Sequence, residues 1–188
     1  QFSVDTSATS INAIATSDFS WGDVLNLTED NSDGTVSVST VGVENGQTLT
    51  LTLNGQTYTN TITGNATTVT ISAAGLQGLT DGQSYTMTAD VSDAAGNAAA
   101  QVTSASFSVD TTAPSINAIA TSDFSWGAVL NLTEDDADGT VSVSTVGVED
   151  GQTLTITLNA QTYTNTITSN ATTVIISAAG LQALTDGQ

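Results

Sequence analysis

Phe107-Ser108-Val109-Asp110-Thr111-Thr112-Ala113-Pro114 closes one copy of a repeat and opens the next. The same phrase stands near the start of the chain, as Phe2-Ser3-Val4-Asp5-Thr6-Ser7-Ala8-Thr9. The offset is 105 residues and holds without a gap to Gln188, with about seven positions in eight identical. A long internal repeat sets the folding unit. This period is too long for one solenoid turn and suits a complete small domain, which can bury an adequate core without staples. The repeat therefore divides the chain at Asp110. Residues 1–4 end a preceding repeat, 5–109 form one domain, and 110–188 begin a second.

Outward from the seam, the chain reads as strands. Leu49, Leu51 and Leu53 alternate with Thr48, Thr50 and Thr52. Tyr85, Met87, Ala89 and Val91 alternate with Ser84, Thr86, Thr88 and Asp90. Period 2 with one apolar face marks half-buried antiparallel strands. Seven strands are expected in the first copy: Ser10–Ala15, Thr35–Val43, Thr48–Leu53, Thr57–Thr63, Thr68–Ser72, Ser84–Val91 and Ala99–Val109. Turn pairs such as Asn54-Gly55, Gly64-Asn65 and Asp81-Gly82 separate them. Ser72–Leu79 has room for one helical turn at most. Seven short strands in such a length predict an all-β fold, a tandem of immunoglobulin-like β-sandwich domains. Asp81-Gly82-Gln83-Ser84-Tyr85 also has the form of a tyrosine corner, with Tyr85 two residues before the inward Met87. The second copy stops at the counterpart of Gln83, so its last two strands are absent and the natural chain is expected to continue.

Charge restricts function. The chain has 19 acidic residues and no Lys, Arg, His or Cys. No side-chain ion pair is possible. The carboxylates must be solvated, hydrogen-bonded to donors, or neutralised by a cation. Nucleic acid and anionic membrane are excluded as partners by repulsion, and no apolar run is long enough to span a bilayer as a helix. An enzyme is not expected, because the residues that activate nucleophiles, move protons near neutrality or stabilise anions are missing.

Strand alternation also decides which loops share a pole. Residues 18–34, 54–55 and 73–83 fall at the pole where the chain leaves the domain, towards Asp110. Asp5, Glu44, Asn65 and the loop from Asp93 to Asn97 fall at the opposite pole. Within the first set, Glu29-Asp30-Asn31-Ser32-Asp33-Gly34 recurs as Glu134-Asp135-Asp136-Ala137-Asp138-Gly139. Oxygen-bearing side chains at alternate positions before Gly form the first half of a calcium loop, with candidate ligands Glu29, Asn31, Asp33, Glu134, Asp136 and Asp138. The second half fails, because Thr40 stands where a bidentate Glu belongs and a strand follows; this excludes an EF-hand. Two readings remain: a calcium turn completed by distant ligands, or a solvated acidic turn. Asp81 and Asp110 join this pole as candidates. At the other pole Asp5, Asp93 and Asn97 can bind calcium together, or Asp93 can cap its own loop as an Asx-turn.

Three phrases make a resemblance specific: Val109-Asp110-Thr111-Thr112-Ala113-Pro114, Asp93-Ala94-Ala95-Gly96-Asn97, and Val24-Leu25-Asn26-Leu27-Thr28-Glu29. In this order and spacing the chain resembles the bacterial immunoglobulin-like extender repeats of giant calcium-dependent, RTX-type adhesins. Thr9 departs from the pattern that Pro114 keeps. The resemblance implies calcium at or near the joints, type I export to the bacterial cell surface, and a stiff stalk whose partners are neighbouring repeats of the same chain. Host or biofilm surfaces would be contacted by other parts of the parent protein. It also tilts Asp93 and Asn97 towards calcium.

A module that binds carbohydrate or a surface through its loops is the alternative. Phe19 with Trp21, and Phe124 with Trp126, could stack on a sugar, although such pairs more often close the end of a core. The Thr-x-Thr strands do not make an ice-binding array, which would need many flat rungs on a sheet that here must twist.

Overall fold

Leu49, Leu51 and Leu53 are buried, while the threonines between them are exposed or half-buried. The other strands are built on the same alternation. The computed structural model describes residues 4–187, so the short end of a preceding repeat falls outside it except for Val4, as does Gln188. The chain divides into two compact units, one running to Thr112 and one starting at Ala113.

The first unit contains β1 (Ser10–Ile11), β2 (Val24–Asn26), β3 (Gly34–Val41), β4 (Thr48–Leu53), β5 (Gln56–Thr61), β6 (Ala66–Ile71), α1 (Ala73–Gln77), β7 (Ser84–Tyr85), β8 (Met87–Asp90), β9 (Val102–Thr103) and β10 (Phe107–Asp110). One sheet has the order β1-β3-β6 and another β5-β4-β8-β9, with β2-β10-β7 as a third ladder. Their inner faces share one core containing Leu25, Val36, Leu49, Leu51, Ile71 and Met87. This is an immunoglobulin-like sandwich. Phe19 stacks on Trp21 at 5.3 Å, and Phe107 meets both rings edge-on at 5.6 and 5.3 Å. Gly34 leaves room for this cluster, since a Cβ there would lie 2.6 Å from the Trp21 ring.

Two expected strands are broken. Ser84–Val91 divides at Thr86, and Ala99–Val109 divides between Thr103 and Phe107. Each changes ladder at its break: β7 pairs β10, while β8 pairs β4 and β9. Ser104 fixes the crossing. Its hydroxyl oxygen accepts from Met87 N at 2.9 Å and donates to Ala105 O at 2.8 Å, and Ala105 N donates to Ile14 O at 2.7 Å. The strand β2 is an addition to the expected set; it lies in the first connector and pairs β10 in parallel. The helical turn expected within Ser72–Leu79 is α1, with the Ser72 hydroxyl accepting from Gly75 N at 3.3 Å, and a 3-10 turn lies at Thr16–Asp18. The tyrosine corner is present, with Thr80 N donating to the Tyr85 hydroxyl at 2.9 Å.

The second unit contains β11 (Ser115–Ile116), β12 (Gly139–Val146), β13 (Thr153–Leu158), β14 (Gln161–Thr166), β15 (Ala171–Ile176) and α2 (Ala178–Gln182). Its ladders are β11-β12-β15 and β13-β14. Its core gathers Val141, Val143, Leu154, Ile167, Val174 and Ile176. Val129-Leu130-Asn131 repeats the residues of β2 but is not a strand. Short strands depend on a partner more than on propensity.

The β4–β5 hairpin turns at Asn54-Gly55 with φ of 48° and 77°, the left-handed pair of a type I′ turn. In the second unit Asn159-Ala160 adopts φ of 47° and 62°, so Ala stands where Gly is favoured. Nothing crowds a Cβ at Gly55, so a change there acts through the backbone alone. Left-handed Ala costs about 1–2 kcal/mol, partly offset by the greater unfolded freedom of Gly. Ala160→Gly is expected to stabilise the second unit by about 0.5–1 kcal/mol, and Gly55→Ala to destabilise the first by a similar amount. Hydrogen exchange of the two hairpins checks the pair; equal exchange in both variants and the parent would refute it.

Candidate functional site

The carboxylates are held mainly by N–H donors. At the pole from which β10 leaves, Asn26 begins one helical turn: its Oδ1 accepts from Thr28 N and Glu29 N at 2.9 and 3.1 Å. Glu29 Oε2 reaches back to accept from Asn26 N at 3.1 Å. This reciprocal pair is a capping box, legible as Asn-x-x-Glu. Asn31 Oδ1 accepts from Gln77 Nε2 at 3.0 Å, and Asp33 Oδ1 accepts from Ala73 N at 2.8 Å, tying the acidic loop to α1. The second unit repeats this: Glu134 accepts from Asn131 N at 3.0 Å, Asp136 from Gln182 Nε2 at 3.0 Å and Asp138 from Ala178 N at 2.9 Å.

Asp81 clasps the chain that leaves β10. Its Oδ1 accepts from Thr111 N at 2.7 Å and its Oδ2 from the Thr112 hydroxyl at 2.5 Å. The Thr112 hydroxyl foremost, then the Thr111 N–H, hold the Asp81 carboxyl below the usual carboxylate range. Asp110 pairs Asn26 in the β10–β2 ladder, and its Oδ1 accepts from Thr112 N at 3.3 Å. Asp5 makes the same local bond, from Ser7 N at 2.9 Å. Both are Asx-turns.

At the opposite pole Asp93 is buried, and Asn97 answers both of its oxygens, through its backbone N and its Nδ2, each at 2.7 Å. The Asn97 side chain foremost holds the Asp93 carboxyl below its ordinary value. Asn97 Nδ2 also donates to Asp5 O at 3.3 Å, and Ala94 N donates to Glu44 Oε2 at 3.0 Å. Asp5, Asp93 and Asn97 are thus joined at one pole, with Glu44 beside them.

Sequence reasoning takes Glu29 as a ligand and overlooks its capping partner Asn26. It also passes over Asp30 as a ligand. Asp30 is buried and its Oδ1 has no hydrogen-bond partner; Asp135 Oδ1 in the second unit is likewise buried and unpartnered. A buried polar atom left unmet is costly and asks for water or a cation. Among the described residues, no three Asp or Glu side chains converge into a ready metal site. Phe19 and Trp21 are buried in the core and are not free to stack on a sugar.

Comparison with solved structures gives the context. A segment of a Ca2+-stabilised adhesin, with which an Antarctic bacterium reaches out and binds ice, matches 95% of this chain at 29% identity and a TM-score of 0.53. A segment of a 1.5-MDa bacterial ice-binding adhesin, studied for its retention at the host cell surface, matches 94% at 28% identity and 0.51. The structural neighbours of this chain are bacterial adhesin domains. A bacterial immunoglobulin-like domain of the M. primoryensis ice-binding adhesin is 30% identical over 55% of this chain and 96% of its own length, with a TM-score of 0.38. The chain spans 43% and 55% of the first two adhesin structures. No protein-family model and no curated protein matches it.

Because folding depresses Asp81, its contribution is full above the ordinary carboxylate value near 4 and is lost as pH falls through the lower folded value. The Thr111 amide is therefore expected to stay protected at pH 4 and to lose protection on further acidification. In Asp81→Ala it is expected to exchange about tenfold faster or more at neutral pH, as an amide released from a strong acceptor does. Unchanged exchange in the variant would refute the clasp.

Proposed function

We propose that this chain is a structural extender of a bacterial surface adhesin, in which calcium limits motion near the domain ends so that the stalk projects a distal binding region. The observation that carries the reading is likeness along nearly the whole chain to adhesin segments, at 29% and 28% identity. Near-identity of the two copies supports it further, since a spacer needs length and stiffness and not distinct sites. Export by a type I route, a place at the cell surface, and contact of other parts of the parent with a host or biofilm belong to the same proposal. The chemistry lacks what enzymes use near neutral pH.

Calcium takes hard oxygen ligands. Among the ligands named from sequence, Asp93 and Asp81 have both oxygens engaged by donors, while hydrogen bonds recorded for Glu29, Asp33 and Asp110 engage one oxygen each. A cation at these places competes with donors already in position. Asp30 and Asp135 have an oxygen whose demand is unmet, and we add them to the proposed ligands. They would hold the cation, and the cation would supply the positive charge that no side chain of this chain can.

Small-angle scattering of the full chain with calcium, then with excess chelator, tests the stalk. A particle that is long with calcium and variable without it is expected; identical profiles would refute calcium stiffening. Binding to the folded state alone also raises stability, by about 2.7 kcal/mol at roughly a hundred times Kd, on the order of 10 °C for a domain this size. Asp30→Asn is expected to cut that rise in the first unit, whereas an unaltered rise would remove Asp30 from the ligand set.

A further inference from the structure

Where Gly follows Asn, the Gly nitrogen can attack the Asn side-chain amide with no Cβ in its way. The chain has two such pairs, Asn45-Gly46 and Asn54-Gly55, both in the first unit. Their counterparts in the second are Asp150-Gly151 and Asn159-Ala160. All are exposed, and a Cβ at Gly46 or Gly55 would meet nothing within 4 Å. The fold nevertheless holds the two pairs differently. At the first, Gly46 N donates to Ile62 O at 3.0 Å, Asn45 Oδ1 accepts from Gly64 N at 2.7 Å, and Ile62 N donates to Gln47 O at 2.8 Å. The attacking nitrogen and the amide it would attack are both fastened. At the second, Gly55 N has no acceptor among the described residues, and a single bond of 3.3 Å, from Asn54 Nδ2 to Gly78 O, holds the side chain.

We propose that Asn54 is a site of spontaneous deamidation and that the fold protects Asn45 from the same reaction. Asn54 and Gly55 are left-handed, so the turn opens before the nitrogen reaches the side chain. Opening there loosens a hairpin end and one long side-chain bond, whereas at Asn45 it breaks the three shorter bonds to Ile62 and Gly64. A reaction that needs local opening is faster where opening costs less. Gly55 N then attacks Asn54 Cγ. The N–Cγ bond forms, the Cγ–Nδ2 bond breaks, and ammonia leaves with the proton of Gly55 N. Water opens the resulting succinimide at either carbonyl, giving Asp or an isoaspartyl link. Neither carboxylate can donate to Gly78 O, and the isoaspartyl link also adds a methylene to the backbone of a tight turn. Each product puts a negative charge into Asn45–Thr80, a stretch with no acidic residue. Ageing thereby frees the β4–β5 tip from the loop that follows α1.

The test ages the full chain at mildly alkaline pH, which favours the deprotonated nitrogen that attacks. Pepsin digestion and mass spectrometry then follow the conversion of amide to acid at each Asn, and labelling by an isoaspartyl methyltransferase reports the isoaspartyl link. The same chain aged in urea is the unfolded control, in which both Asn-Gly pairs are expected to convert at similar rates. In the folded chain Asn54 is expected to convert, with Asn45 and Asn159 about tenfold slower or more, a barrier difference of about 1.4 kcal/mol. Gly55→Ala is expected to slow conversion at Asn54 to the rate of Asn159 without unfolding the first unit. Conversion of Asn45 in the folded chain as fast as Asn54, an Asn54 that stays intact while the urea control converts, or undiminished conversion in Gly55→Ala would each overturn the proposal.

Discussion

The rest of this structure depends on the absence of any basic side chain. Every carboxylate that leaves bulk water must find an N–H, a hydroxyl or a cation. The fold answers mainly with backbone N–H groups at loop ends. Asp18 answers Ala15 N, Glu29 answers Asn26 N, Asp33 answers Ala73 N, Glu44 answers Ala94 N and Asp81 answers Thr111 N. Loops otherwise carry backbone donors that need partners. The acidic residues are therefore fastenings at the two poles of each sandwich, besides being a source of solubility.

Differences between the copies show which property of these residues matters. Asn31 is replaced by Asp136, and both accept from the equivalent glutamine. Asn45 is replaced by Asp150; Asn45 accepts from Gly64 N and Asp150 from Ser169 N, the same backbone position. Acid and amide both serve as the acceptor at these positions, although Asn31 Nδ2 also donates to Leu27 O at 2.6 Å, a bond that Asp136 cannot make. A charge requirement would not tolerate the swap. The difference at Asp23, whose counterpart is Ala128, fits too, because it is the Asp23 backbone carbonyl that accepts from Ser108 N.

The fold was legible wherever burial has a period. Thr48–Leu53 is a strand over the expected residues because three leucines share one face. The breaks at Thr86 and at Ser104–Ser106 were not legible, since alternation continues through a change of ladder. What redirects the chain is the contact of Ser104 with Met87, 17 residues away. Nor was β2 legible, because the same Val-Leu-Asn is a strand in one unit and not in the other. At the site, the poles were legible from strand order, and bonds such as Glu44 to Ala94 and Asn54 to Gly78 join the loops assigned to each pole. The roles were not. The spacing of Glu29, Asn31 and Asp33 suits a calcium turn, but two of them find partners 40 and 46 residues away, beyond the reach of a local motif.

These fastenings bear on what a cation would add. The first unit has a continuous core with residues from Ile11 to Val109, and its loops are tied by hydrogen bonds such as those of Asp81 and Asp93. Folding of that unit and the stiffness of a stalk are then separable quantities. A cation that displaces an N–H from Asp81 or Asp93 exchanges one satisfied acceptor for another, so its net gain is small. One that meets Asp30 Oδ1 removes an unmet demand, and its gain is not offset in this way. On this ground a cation would add most at the buried oxygen that lacks a donor, and least at the carboxylates whose spacing most resembles a calcium loop.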